Sequence, residues 1–293
     1  MKLDLYHVDV AILAGDLAGK AIVPLVARPN GRYFASFLGR KEECDEQGAL
    51  ILEKKIMNMG FFPYRCSAAE LEEIQSKPDK IDELFTTMLR GTIERWVEIA
   101  EERLKESKTR FYMLPGNDDP AIVAEVLSKS ERAINPEDRV VMIDGEHEMI
   151  SSGRSNPTPW DTPRECSEEE LRSVIDSMAA QVKDMSRCVF NFHVPPYNSS
   201  LDIAPLLDKD LRPQVTAGEI LKVPVGSTAL RTAIEKYQPL LGLHGHIHES
   251  ASEIRIGRTL CLNPGSEYSE GILKGYVIEI DDDKVKNHVR IQG

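Results

Sequence analysis

The chain has 293 residues, with 36 Lys and Arg against 48 Asp and Glu, for a net charge of −12. That length builds one large α/β domain or two ordinary ones, and a composition of 41% hydrophobic and 29% charged residues excludes a disordered or fibrous chain. No apolar run is long enough to cross a membrane, and the opening MKLDLYH lacks the regions of a secretory signal, so a cytoplasmic protein without a membrane partner is expected. The acidic balance argues against nucleic acid as a partner, because affinity for phosphate backbones comes from Lys and Arg. It leaves room for a small phosphate ester, since a bound metal supplies local positive charge.

Cys44, Cys66, Cys166, Cys188 and Cys261 are odd in number, scattered and free of any Cys-x-x-Cys pair. They read as reduced packing residues rather than a disulfide framework or a thiolate zinc site.

In chain order, residues 8–14 (VDVAILA) form a compact apolar run closed by Gly15-Asp16, the pattern of a buried parallel strand entering a turn. Residues 22–28 and 32–38 flank Pro29-Asn30-Gly31, a hairpin signal. Helices are predicted at about 47–59 and 68–76 and over a long span from 79 to about 107. There Ile81, Leu84, Phe85, Met88, Leu89, Ile93, Trp96, Val97, Ala100 and Leu104 step by three and four. Residues of about 20–107 therefore read as a hairpin-plus-helices insertion into a single domain spanning the chain. The sheet pattern resumes at residues 111–114, running into Pro115-Gly116-Asn117-Asp118-Asp119-Pro120 and a helix to about residue 130.

Further strands are expected at 140–143 and 148–151, and residues 155–163 (SNPTPWDTP) make an ordered loop or linker. Ser167 with Glu170 forms a capping box for a helix ending near residue 184. Residues 188–193 are a buried strand stopped by Pro195-Pro196. A helix at about 227–237 leads into 240–244, with last strands at about 251–256, 259–263 and 275–280. Early strand–helix alternation followed by a late meander points to a layered α/β sandwich.

Four apolar strands finish on metal-ligand residue types: Asp16, Asn117, His193 and the pair His246/His248. Ligands gather at the carboxyl ends of strands in open α/β sheets. Each segment also has a plain alternative: a turn at Gly15-Asp16, a helix cap in residues 117–120, a hydrogen-bonded core histidine at His193. In Gly245-His246-Ile247-His248, imidazoles at i and i+2 of an extended segment share a face. Imidazole with carboxylate oxygen suits manganese, iron or zinc rather than calcium.

Together, Gly15-Asp16, Gly116-Asn117-Asp118-Asp119, His193 and Gly245-His246-Ile247-His248 resemble the calcineurin-like metallophosphoesterases. That family's pattern runs Asp-x-His, Gly-Asp-x-x-Asp, Gly-Asn-His-(Asp/Glu), a lone His, and Gly-His-x-His. Asn263-Pro264-Gly265-Ser266 also resembles the strand and turn closing the family's second sheet. The resemblance implies a four-layer α/β/β/α sandwich and a centre of two divalent transition metal ions (Mn, Fe or Zn). It further implies hydrolysis of phosphate mono- or diesters by metal-activated water. It makes Asp16 the bridging ligand, places Asn117, His193 and His246 at one metal, and gives His248 to the other.

Three departures stand out. Asp118 occupies the place of the histidine that assists the leaving group, and a carboxyl fills that role at neutral pH only where its surroundings raise its pKa. Gly19-Lys20 stand where the second Asp of Gly-Asp-x-x-Asp belongs, and no Asp-x-His precedes Gly15. His7-Val8-Asp9 is a reversed lookalike; Asp9 lies seven residues before Asp16, roughly 23 Å along an extended strand. The expectation is that the sequence begins downstream of the family's first central strand, residues 3–7 being the tail of the helix after it. One metal would then be bound in place of two. The alternative function is a catalytically impaired metal-binding scaffold that meets a partner through the same face.

Overall fold

The computed structural model describes residues 8–293. In chain order the elements are β1 (Val10–Ala14), β2 (Ile22–Ala27), β3 (Tyr33–Phe37), β4 (Arg40–Cys44), α1 (Glu46–Asn58), β5 (Phe62–Cys66), α2 (Ala68–Gln75), α3 (Pro78–Leu104), β6 (Arg110–Leu114), α4 (Ala121–Leu127), β7 (Ala133–Ile134), β8 (Val140–Met142) and β9 (Glu148–Ser152). There follow α5 (Glu168–Ala179), β10 (Val189–Phe192), β11 (Ile203–Pro205), β12 (Val215–Thr216), β13 (Glu219–Ile220), β14 (Lys222–Pro224), α6 (Thr228–Tyr237), β15 (Leu241–Leu243), β16 (Ser252–Ile256), β17 (Thr259–Asn263), β18 (Lys274–Asp281) and β19 (Lys284–Gln292). They group into two compact units, one holding residues up to Leu17 with Trp96–Ser266 and Lys274–Gly293, the other holding Ala18–Arg95 with Glu267–Leu273.

The larger unit is an α/β/β/α sandwich. One sheet runs β1-β6-β7, all parallel; the other runs β16-β17-β15-β10-β9-β8, with a parallel centre and antiparallel edges. Alternation along each strand sorts side chains between two cores. Met149, Val189, Leu241, Leu260 and Leu262 meet Ile12 and Tyr112 of the smaller sheet, with Tyr276 and Ile278 of the β18–β19 hairpin. Their neighbours Ile150, Phe190, Phe192 and Cys261 face α5 and α6, where Leu171, Ile175, Leu230 and Ile234 are buried. Phe111 and Met113 of β6, Ala100 and Leu104 of α3, and Val123, Val126 and Leu127 of α4 are buried as well. The capping box on α5 forms between Ser167 and Glu170. The helix ends at Ala179 rather than near residue 184, because Asp184 instead caps the short turn Met185–Arg187. Glu168 turns outward from α5 to accept from Ser227 Oγ (2.6 Å) and the N–H of Ala229 (2.8 Å), holding the start of α6.

Among the described residues β1 pairs with β6 alone. The helix tail expected at residues 3–7 lies outside them.

The smaller unit is a four-stranded sheet, β4-β3-β2-β5, whose core joins Val23, Leu25, Ala35 and Phe37 to Ala49, Leu52 and Ile56 of α1. The hairpin forms around Arg28–Arg32, with Gly31 alone in the left-handed region. β4 is the strand RKEEC, which pairs with β3 despite carrying four charged residues.

Candidate metal centre

The residues in question follow strand ends of the larger unit: Asp16 after β1, Asn117 after β6, His193 after β10 and His246 after β15. Parallel pairing of β1 with β6, and of β10 with β15, brings the loops out on the same side of each pair. Ligand atoms of Asp16, His193 and His246 lie within 4.8 Å of one another, a cluster able to hold a metal ion. Asn117 sits among them. Its Oδ1 lies 3.0 Å from His193 Nε2 and 2.8 Å from His246 Nδ1, and Asp16 Oδ2 lies 3.2 Å from His193 Nε2.

The backbone is shaped for this convergence. Gly15 has φ +111°, and a Cβ on it would collide with the His193 ring. A Cβ on Gly116 would collide with the amide nitrogen and carboxylate of Asp16. Both glycines are therefore required by close approach. Asp16 (φ 53°) and His246 (φ 63°) are themselves left-handed, a strain of about 1–3 kcal/mol each that surrounding bonds must hold. They do so. The buried Asp119 carboxylate accepts from Gly116 N–H (2.6 Å) and Leu17 N–H (2.9 Å), joining the two loops. The N–H of Asp118 donates to Asp16 Oδ1 at 3.3 Å. Asn263 Nδ2 donates to the carbonyls of Leu201 (3.1 Å), Gly245 (3.3 Å) and Ile247 (3.0 Å), pinning the turn at His246.

Two local expectations give way. The stretch 117–120 does not cap α4: the N-cap is Pro120 without a side-chain bond, and the polar side chains face the cluster or its loops. Residues 245–248 are not extended either. Ile247 N–H bonds to Gly245 O at 2.7 Å across a tight turn at His246, so the rule that i and i+2 share a strand face does not apply. His248 is half-buried and falls outside the three-residue group, though its charge is felt at His246. Asp118 is half-buried, with Oδ1 3.4 Å from Asn117 Nδ2.

The hydrogen-bond pattern tests whether a cation fits. His193 Nδ1 faces the Ala14 carbonyl at 2.7 Å and must donate to it. In the neutral ring Nε2 then carries only a lone pair, yet it faces two oxygens, Asn117 Oδ1 and Asp16 Oδ2. Asn117 Nδ2 is engaged with Thr162 Oγ1 (2.8 Å), so the amide oxygen is what meets both imidazoles. Three electron-pair donors thus converge, and a cation between them would meet all three. Carboxylate, amide oxygen and imidazole are the donor chemistry of a divalent transition metal site. A proton answers the same demand: burial pushes the His193 pKa down, but the Asp16 carboxylate outweighs it and the net shift is upward. Burial, with the neighbouring His193, lowers His246 to about 3, keeping that imidazole neutral.

Sequence reasoning reads residues 155–163 as an ordered loop or linker but misses the roles of Thr162, Glu165 and Asn263. The loop has no periodicity to read, and Asn263 acts through main-chain carbonyls that no motif records.

Fold and cluster together define an α/β sandwich protein with a candidate metal centre at its strand ends. No family profile matches the chain. It is 31% identical over 186 residues to "Uncharacterized protein MJ1162" of Methanocaldococcus jannaschii, covering 62% of this chain and 77% of that protein. The chain belongs to the family of that archaeal protein. Among solved structures it is similar to TT1561 of Thermus thermophilus (TM-score 0.43, 16% identity, 63% of this chain and 73% of that one). It is also similar to the T. thermophilus sulfate thiohydrolase SoxB (TM-score 0.33, 15% identity, 83% of this chain and 41% of that one). No helix among the described residues is long and apolar enough to cross a membrane.

Proposed function

We propose that the chain is a metal-dependent hydrolase of small phosphate esters, with Asp16, Asn117, His193 and His246 as its metal ligands. The observation that carries this is the convergence of Asp16 Oδ2, Asn117 Oδ1 and the inward-turned Nε2 of His193, whose Nδ1 is committed to the Ala14 carbonyl, beside His246. The resemblance of the four motif blocks to calcineurin-like metallophosphoesterases supplies the substrate class. A bound Mn, Fe or Zn ion supplies Lewis acidity toward phosphoryl oxygen and lowers the pKa of a bound water.

The chain's own part is to hold and to orient. Donation from His193 Nδ1 to Ala14 O fixes the tautomer and turns Nε2 inward. The neutral ligands Asn117 and His246 leave the centre net positive, so an anionic ester is attracted in spite of the chain's charge of −12. Asp118 holds the Asp16 carboxylate with its main-chain N–H, and the resemblance puts its side chain where the leaving group departs. With Asp rather than His there, the reading favours esters whose leaving groups need no acid.

One observation favours a second reading, a metal-binding scaffold that meets a partner: among the described residues the cluster offers one Asp and two His and no further Asp, Glu, His or Cys. Elemental analysis beside turnover of bis(p-nitrophenyl) phosphate and p-nitrophenyl phosphate with Mn²⁺ separates the two. Metal-dependent hydrolysis of either ester, lost on chelation, is expected. Bound metal with no turnover of either selects the scaffold.

A further inference from the structure

An asparagine amide can be turned two ways, and only one offers oxygen to a cation. For Asn117 the choice is made by a chain of hydrogen bonds in residues 158–165. Asn117 Nδ2 lies 2.8 Å from Thr162 Oγ1, which lies 2.8 Å from Glu165 Oε1. A carboxylate only accepts, so the Thr162 hydroxyl proton points at Glu165 and its lone pairs are left to accept from Asn117. The amide nitrogen is thereby drawn to Thr162, and the oxygen is delivered to His193 and His246. With the hydroxyl reversed, the amide would turn and present N–H donors where a cation belongs.

Glu165 is itself firmly placed. Its Oε1 also accepts from the Thr158 hydroxyl and the Thr162 N–H (2.9 Å), and its Oε2 accepts from the Thr158 N–H (2.9 Å). The same segment holds the main chain of the ligand loop. Arg164 N–H donates to Asn117 O (3.1 Å) and Arg164 Nη1 to Gly116 O (3.3 Å), while its Nη2 pairs with Glu137. Neither Thr162 nor Glu165 is part of the motif blocks or of the Asp16, His193 and His246 group.

We infer that Thr162 and Glu165 are positioning residues: acting in series, they fix which end of the Asn117 amide faces the metal. This rests on the metal centre proposed above. The test is Mn²⁺ titrated calorimetrically into metal-stripped protein, beside thermal melting followed by circular dichroism without metal. Thr162→Val keeps the side-chain volume and removes the hydroxyl. It is expected to raise the Mn²⁺ Kd by about 10–100-fold, the range for groups that orient a ligand, with the metal-free melting temperature unchanged. Thr162→Ser is expected to restore wild-type affinity. Wild-type affinity in Thr162→Val overturns the inference, as does a loss that Thr162→Ser fails to repair. Should Thr162→Val not fold, Glu165→Ala decides: it removes the acceptor that orients the hydroxyl, so an unchanged Kd overturns the inference there too. Wild-type protein that binds no Mn²⁺ overturns the metal centre itself, and that result appears before any substitution is made.

Discussion

The two units place their polar groups in opposite ways. In the larger unit the chemistry lies inside: Asn117, Asp119, His193 and Asn263 are each at most 3% exposed, at the mouths of strands whose other residues are apolar. In the smaller unit the main polar network lies near the surface. Arg65 on β5 pairs with Glu53 through Nε (2.6 Å) and Nη2 (3.0 Å) and with Glu46 through Nη1 (2.6 Å), and stacks 4.8 Å above Tyr33. Solvent screens the second network, and every charge in it has its partner. The first is buried and gathers electron-pair donors at strand ends. The buried network is the candidate working site; the surface one ties β5 to α1.

Five substitutions sharpen or break that contrast. The largest effect belongs to His246→Ala, which is expected to abolish calorimetrically detectable Mn²⁺ binding while leaving the circular dichroism spectrum intact; retained binding would remove the contrast altogether. Next come the cores. Phe190→Ala empties a buried site against Phe192 and Tyr237 and is expected to cost about 3–5 kcal/mol by urea unfolding. Leu25→Ala, beneath α1, is expected to cost about 2–5 kcal/mol and to lower hydrogen-exchange protection over β2, β3 and α1 with Mn²⁺ affinity unchanged.

A smaller effect depends on pH. Burial pushes the Asp144 carboxyl up, but the N–H groups of His147 and Glu146 and the His147 ring outweigh it and hold it below the usual range. A folded value below the unfolded one stabilises above the ordinary carboxylate pKa, and the contribution is lost as pH falls through the folded value. Asp144→Asn is therefore expected to cost about 1 kcal/mol in urea unfolding at neutral pH and nothing measurable at the acid end. A smaller effect still would come from Arg65→Lys, at under about 1 kcal/mol because the partners are partly solvated, and less in high salt.

What the sequence reveals follows from where burial is two-sided. β1, β6, β10 and β15 are read directly because parallel strands covered on both faces become unbroken apolar runs ending abruptly in polar residues. The hairpin at Arg28–Arg32 is read from its turn, and α3 from its stripe. β4 and β19 escape because their residues, RKEEC and KVKNHVRIQ, are strands by virtue of the partner alongside, not of intrinsic preference. The centre is legible as residue types at strand ends. The turn at His246 is not, since its conformation is imposed by Asn263 and by the Ile247–Gly245 bond. Nor is the Thr162–Glu165 chain, which becomes visible only when the donor and acceptor at each atom are counted.

The Asp119 carboxylate, shared between Gly116 N–H and Leu17 N–H, ties the loop bearing Asp16 to the loop bearing Asn117. The spacing between these two ligands is thus set by folding, before any ion arrives. If the proposed centre takes an ion, a cradle of fixed width selects it by radius: an ion too wide would strain a buried carboxylate, and one too narrow would leave an oxygen out of reach.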